Sequence, residues 1–270
     1  MTATHELPAI TDDIVKMHTD YLVPAIYAQW AHHTAELAEI DVGQTVLDVA
    51  CRTGTLTRTA LQEVGPTGKV VGLDHNAKML ATARRLAPKI EWQPGDAALL
   101  PFENDSFDRV MCQFALMFIK NRVAAIKEML RVCRPGGLVA IAIWAPLDHS
   151  KAYSKLLDLT KKFAGPKTAM KLSEPWSLGN PGLMDSLLLS ANVKEYECHE
   201  RPGVAIFPSI ETFVETHLRA TGEFHSISGE VFAELLYAAK FEMRPFMTAD
   251  GKVAAALDAD VFLVNPQLFH

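Results

Sequence analysis

Three carboxylates and one run of small residues carry the chemistry this sequence offers. Asp48 lies within an apolar run, residues 46–49, and is followed by Ala50, Cys51, Arg52, Thr53 and Gly54. Small residues let a backbone approach a ligand closely, and a helix that opens there presents free N–H groups to anionic oxygens. Asp74 stands twenty residues after Gly54, at the end of a second apolar run. A carboxylate there is placed to accept hydrogen bonds from both hydroxyls of a ribose. The loop lacks the GxGxxG dinucleotide fingerprint, which argues against a nicotinamide oxidoreductase. Gly95-Asp96-Ala97 adds a third acid, where an adenine amino group would lie.

Such residues act together only if alternating strands and helices bring them to one edge. Residues 21–40 have helical apolar spacing, with Pro24 early, where a helix tolerates it. Strands are expected at residues 45–49, 69–73, 90–93, 107–112 and 138–144. Helices are expected at 55–64, stopped by Gly65-Pro66, at 77–87, capped by Asn76, and at 122–132. This alternation implies a Rossmann-like, doubly wound α/β fold with a mostly parallel sheet. Ligands then gather at the carboxyl ends of the strands, around residues 48–54, Asp74, Asp96 and 112–114. Beyond Trp144 the pattern loosens. Helices are expected at 152–163 and 181–190, strands at 193–199 and 253–264, and a helical region at 210–237 between them. That excursion reads as a substrate cover, since no linker divides it off. The expected organisation is one domain over 1–270: an N-terminal helical cap (1–44), a cofactor-binding core (45–145), and cover segments with the last two strands (146–270).

Bulk properties narrow the function. Hydrophobic residues make up 49% and charged residues 21% of the 270, an ordinary balance for a globular protein with a real core. A net charge of −6 and scattered basic residues argue against a nucleic-acid surface. Residues 1–14 have no secretory core, and the longest apolar run, 138–145, is too short to span a bilayer. Cys51, Cys112, Cys133 and Cys198 show no paired spacing, and the histidines are dispersed, without HExxH. The expectation is a cytoplasmic protein without a metal or membrane span, acting as a monomer or homodimer on a small molecule.

Further motifs follow in order: Leu100-Pro101-Phe102, Ser106-Phe107-Asp108 and residues 130–137, ending in Arg134-Pro135-Gly136-Gly137. Together with the acids and the loop, these resemble the class I S-adenosylmethionine-dependent methyltransferases, in the branch that includes ubiquinone and menaquinone biosynthesis enzymes. Residues 45–144 carry the resemblance closely, and residues 21–30 and 175–208 more loosely, as lid segments. It implies a seven-stranded sheet with the last strand antiparallel, and S-adenosyl-L-homocysteine as product. By resemblance, Asp48, Ala50, Cys51, Arg52 and Gly54 would surround the methionine part of the cofactor, with Asp48 near its ammonium. Asp74 would bind the ribose with His75 beside it, Met79 would pack on adenine, and Asp96 and the Ala97 N–H would read the adenine edge. Cys112 and Gln113 would border the sulfonium, and Tyr27 and Trp30 would close over the cofactor, as electron-rich rings suit a cation. Phe118, Trp144 and His149 are candidates to face the acceptor.

Each residue also has a plainer use. Asp74 and Asp96 can cap turns, the cysteines can fill core space, one of Tyr27 and Trp30 can be ordinary core, and His149 can be structural. No catalytic side chain is assigned, because in-line transfer from an activated sulfonium needs a base only if the nucleophile must lose a proton. The acceptor is expected to be small and partly apolar, since the residues after Trp144 are rich in Leu, Phe and Met. One departure matters: Arg52 stands where the family usually has the middle glycine of its loop. Its side chain could point away, reach the cofactor's carboxylate, or block the site. The retained acids at 48, 74 and 96 favour intact binding. Blockage would leave a cofactor-binding protein with other chemistry or none.

Overall fold

The computed structural model describes residues 10–180 and 182–266; most of the segment 1–14, and the expected helix start at Pro181, lie outside them in whole or part. Nine strands are described: β1 (Thr45–Val49), β2 (Lys69–Asp74), β3 (Glu91–Pro94), β4 (Phe107–Gln113), β5 (Cys133–Trp144), β6 (Glu197–Arg201), β7 (Val204–Phe207), β8 (Val253–Ala256) and β9 (Ala259–Val264). Seven form one sheet in the order β3-β2-β1-β4-β5-β9-β6, and β7 and β8 pair separately. The first five strands are mutually parallel, while β9 runs antiparallel to both β5 and β6. The Rossmann-like sheet with its last strand reversed is therefore present. Its strand order turns back between β1 and β4, where a crevice opens at the strand ends.

The helices are α1 (Asp12–Met17), α2 (Ala28–Leu37), α3 (Thr55–Val64), α4 (Ala77–Leu86), α5 (Arg122–Val132), α6 (Lys151–Phe163), α7 (Gly165–Ser173), α8 (Leu183–Ser190), α9 (Ile210–Ala220) and α10 (Gly229–Glu242). Their caps follow the sequence. Asn76 accepts from the N–H groups of Lys78 and Met79 at 3.0 Å, opening α4, and Asn121, Ser209 and Ser228 cap α5, α9 and α10. Val46, Leu47 and Val49 of β1 and Val110 and Met111 of β4 are fully buried, because this parallel sheet is covered on both faces.

Four expectations need correction. The N-terminal helix begins at Asp12, nine residues before the expected start, so Pro24 is interior. It sits in a π-helical stretch (His18–Tyr27) joining α1 to α2, whose wider register places the Ala28 N–H on the Val23 carbonyl. Residues 253–264 are two strands in two sheets. At the break, the Leu257 N–H donates to the Gly203 carbonyl (2.8 Å), and Asp258 accepts from the Gly203 N–H (3.1 Å). The strand expected from 193 begins at Glu197. Residues 133–137 join β5 through a register shift opposite β4. The element α7 and the pair β7–β8 were not foreseen.

Both β7 and α9 pack against the π-helical stretch. Among the described residues no helix is long and apolar enough to cross a membrane.

Candidate active site

The loop after β1 owes its shape to three left-handed residues, Ala50 (φ 58°), Arg52 (φ 53°) and Gly54 (φ 76°). An ordinary side chain pays about 1 kcal/mol or more for this conformation, so the loop persists only because its surroundings impose it. The Cys51 N–H donates to the Leu73 carbonyl (2.9 Å), the Gly54 N–H to the Cys51 carbonyl (2.8 Å), and the Arg52 N–H to Asp74 Oδ2 (2.8 Å). Gly54 has a second reason to be glycine: a Cβ there would lie 2.1 Å from the Trp92 indole. At this position the close approach is to a core ring.

The loop forms one wall of a narrow open cleft, with Asp48, Gln113, Tyr27 and His18 on the others. Asp48 is buried, and its Oδ2 accepts from the Thr57 hydroxyl at 2.5 Å. Loss of water pushes its carboxyl up to about 7, against the pull of Thr57 and with a further push from Asp74. Gln113, at the end of β4, accepts from the Thr34 hydroxyl (2.8 Å). His18, from the π-helical stretch, stacks on Tyr27 at 5.1 Å, and its Nδ1 meets the Thr53 hydroxyl at 3.3 Å. Its Nε2 is buried without a hydrogen-bond partner among the described residues. Burial, aided by the charges of Arg52 and Arg58, holds this imidazole neutral, with a pKa lowered to about 3.

Arg52 turns into the cleft. One guanidinium nitrogen donates to the Phe114 carbonyl at 2.8 Å, and the group lies over the rings of Tyr27 (5.0 Å) and Phe118 (5.5 Å). Of the three directions open from the sequence, pointing away is not the one adopted.

On the other side of the loop, Asp74 is buried and receives the Asn76 N–H on Oδ1 (2.8 Å) as well as the Arg52 N–H on Oδ2. His75 is exposed, with Nδ1 3.7 Å from Asp74 Oδ1. Met79 is buried in α4. Asp96 is exposed after β3 and accepts from the Ala98 N–H (2.8 Å), while Ala97 is buried. These residues follow the ends of β2 and β3, beside the cleft rather than in its lining.

Trp30 and Trp144 do not reach the cleft. Trp144 stacks on Phe114 with ring centres 3.5 Å apart and nearly parallel, and Trp30 meets both edge-on (5.6 and 5.9 Å). The pair is the hydrophobic backing of the β4–β5 strand ends, leaving Tyr27 as the aromatic residue that faces inward. Cys51 borders the cleft and Cys112 lies behind it. Burial raises both thiols, Cys112 to about 12, so neither is a thiolate nucleophile. His149 is exposed on a short turn (Leu147–His149), where its charge bears on Asp260 of β9.

Sequence reasoning missed His18, Thr57, Tyr153 and Trp176. Tyr153 of α6 and Trp176, on a turn (Glu174–Trp176) packed against the turn carrying Phe118, have ring centres 5.0 Å apart. Both the Tyr153 hydroxyl and the Trp176 Nε1 are buried without a partner among the described residues. Burial, with a smaller push from Tyr27, raises the Tyr153 hydroxyl well above its ordinary range. The pairing of Asp48 with Thr57, nine residues apart across a β-strand, loop and helix, has no local signature, but the Thr57 hydroxyl in the first turn of α3 was the available clue.

Residues 46–137 match the family model described as "Methyltransferase domain". A 2-phytyl-1,4-naphtoquinone methyltransferase of Thermosynechococcus vestitus is 38% identical over 142 residues, covering 52% of this chain and 61% of that protein. The ubiquinone/menaquinone biosynthesis C-methyltransferase UbiE of Pseudomonas aeruginosa is 39% identical over 144 residues, covering 51% and 54%. The match thus spans less than two thirds of either relative. Among solved structures, the YcgJ protein of Bacillus subtilis superposes with a TM-score of 0.56 at 17% identity, covering 87% of this chain and 97% of that one. A Haemonchus contortus phosphoethanolamine N-methyltransferase, bound to phosphomonomethylethanolamine and S-adenosylhomocysteine, gives 0.54 at 17% identity, covering 93% and 59%. At such identities the structures speak for the fold alone.

Proposed function

We propose that the chain is a class I S-adenosylmethionine-dependent methyltransferase, a reading supported by the methyltransferase-domain match over residues 46–137 and by the two relatives, and that it transfers the methyl group of that cofactor to a small, partly apolar acceptor, releasing S-adenosyl-L-homocysteine. The observation that carries this reading is the convergence of Asp48, the left-handed loop, Gln113 and Tyr27 on one cleft at the strand-order reversal. The site's chemistry fits the cofactor. Asp48 is a buried carboxyl that forms no ion pair among the described residues and feels Arg58 only weakly, which suits an ammonium group. Asp74 keeps lone pairs beyond its two backbone partners for ribose hydroxyls, and Asp96 and Ala97 follow β3 where an adenine edge would be read.

When bound, the cofactor supplies a methyl group already activated on a sulfonium. The protein's part is positional. Asp48, with Thr57 holding its carboxylate, anchors the amino-acid end; Tyr27 and the π-helical stretch exclude water; Gln113 and the Phe114 carbonyl mark the end nearest the acceptor. No residue is assigned as a general base.

The acceptor slot is best placed among Phe118, Tyr153 and Trp176. Their faces suit a flat ring, and the unpartnered Tyr153 hydroxyl and Trp176 Nε1 suit ring oxygens. That the two curated relatives are named for quinone methylation supports a hydroquinone-like acceptor. A net charge of −6 disfavours nucleic acid. Buried free thiols at Cys51, Cys112 and Cys133 suit the reducing cytoplasm, and the protein is proposed to work there as a monomer or homodimer.

The test is calorimetry with S-adenosyl-L-homocysteine, followed by incubation with methyl-labelled cofactor and a panel of hydroquinones. Binding with label transferred to a ring supports the reading. Binding without transfer to any acceptor removes the methyltransferase assignment, and no binding removes the cofactor as well.

A further inference from the structure

Arg52 is a cation with donors to spare. Its guanidinium is half-buried among the Tyr27 and Phe118 rings and the Phe114 carbonyl, all uncharged. Among the described residues no carboxylate forms an ion pair with it; the nearby acid, Asp74, is engaged by the Arg52 backbone N–H instead. Of five N–H donors on this fork, one has a protein partner. A partly desolvated guanidinium in that state favours an anion, and a planar carboxylate accepts two parallel bonds from it.

His18 makes a second, independent observation in the same cleft. It is only 5% exposed, its Nδ1 is used by Thr53, and its Nε2 has no partner. The imidazole stacks on the face of Tyr27, the ring over which the guanidinium also lies. If Nδ1 accepts the Thr53 hydroxyl proton, Nε2 carries the hydrogen and is a donor. Two donors, one charged and one neutral, thus each contact the Tyr27 ring and line the same cleft.

We propose that Arg52 and His18 form a carboxylate receptor inside the cleft, so that the arginine in the loop is a recognition residue and not an obstruction. The inference rests on the proposed function, and the carboxylate has two possible sources: the amino-acid end of the cofactor, or the acceptor. Arg52 would then supply from its side chain an anion contact that a glycine at this position leaves to the backbone.

The experiment measures binding by calorimetry for the native protein, R52Q and R52K, with thermal melting to check that each variant is folded. One arm compares S-adenosyl-L-homocysteine with its decarboxylated analogue. The other compares 4-hydroxybenzoate with 4-hydroxybenzamide, in the presence of S-adenosyl-L-homocysteine. If the cofactor is the source, native protein prefers the carboxylated nucleoside by about tenfold to a hundredfold, and R52Q loses that preference. R52K keeps part of it, since a point charge replaces the fork. If the acceptor is the source, the same pattern appears in the benzoate arm. Discrimination by R52Q equal to native in both arms overturns the receptor. So does tighter binding of S-adenosyl-L-homocysteine by R52Q than by native protein, which marks Arg52 as a plug. Failure of native protein to bind S-adenosyl-L-homocysteine refutes the cofactor reading itself, and the benzoate pair without nucleoside then decides whether an anion site survives it.

Discussion

The Thr57 hydroxyl donates to Asp48 Oδ2 at 2.5 Å, joining the first turn of α3 to the end of β1 beneath the loop. This is the strongest restraint on a carboxylate that burial drives toward its neutral form, with a pKa near 7 in the free protein. A bound ammonium reverses that push, because an opposite charge favours the ionised acid.

A proton should therefore leave when the cofactor arrives. At about pH 6 the free protein holds most of a proton on Asp48, and binding of S-adenosyl-L-homocysteine should release it; at about pH 8.5 there is none to release. Calorimetry in buffers of different ionisation heat reads this directly. D48N should bind weakly and release no proton, while T57V should shift the release to higher pH, since the hydroxyl's pull on the carboxylate is gone. Buffer-independent heats at pH 6 would contradict the assignment.

The same group sets one part of the stability profile, and two histidines set the opposite part. His18 and His217 are buried and neutral, with pKa values lowered to about 3 and about 4, chiefly by burial. Their unfolded forms bind protons below about 6.5, so stability is lost as pH falls from there through the folded values. Asp48 works the other way: its folded pKa is raised, so its contribution falls as pH rises from about 4 to about 7. Two imidazoles outweigh one carboxyl, and the net expectation is a melting temperature that drops between about pH 6.5 and pH 4.5. H217N should flatten the drop, and D48N should raise the melting temperature at about pH 8 in the absence of cofactor. A native profile flat over this range would count against buried neutral histidines.

Much of the site was legible because strand ends leave local marks. The apolar run before Asp48, the acid ending β2, and the Asn76 cap are each decided within a few residues, and α3 and α5 begin and end where their spacing indicated. What was not legible depends on distant partners. Tyr27 and Trp30 are three residues apart, and only Phe114 and Trp144, far along the chain, decide that Trp30 goes inward. His18 and Tyr153 look like ordinary members of amphipathic helices until the fold leaves Nε2 and the hydroxyl unpaired. The split of residues 253–264 into two sheets follows from Gly203 hydrogen bonds across some fifty residues. Periodicity does not record such contacts.

Gly54 and Trp92 should be energetically coupled. The glycine is left-handed, and a Cβ on it would come within 2.1 Å of the indole, which also covers Gly72. G54A therefore carries a backbone cost and a clash, together about 2 kcal/mol or more. W92A opens a cavity and should cost about 3–5 kcal/mol alone. In the double variant the clash is gone, so chemical denaturation should give a loss smaller than the sum of the two by about 1 kcal/mol or more. Strict additivity would place the constraint on Gly54 in its backbone alone.

Tyr153 should trade stability for recognition. Its hydroxyl is fully buried with no hydrogen-bond partner, beside Trp176, whose Nε1 is in the same position. An orphaned buried hydroxyl costs about 1–3 kcal/mol, and Y153F removes it while keeping the ring against Phe213 and His217. The variant without ligands should be the more stable protein, melting roughly 2–8 °C higher. If the hydroxyl donates to an oxygen of the acceptor, the same change should raise KM for the hydroquinone acceptor about tenfold with little change in kcat. Thermal melting and initial-rate kinetics on one preparation test both halves. Higher stability with unaltered KM would leave Tyr153 as a core residue and move the acceptor slot elsewhere; lower stability would mean the hydroxyl is satisfied in solution.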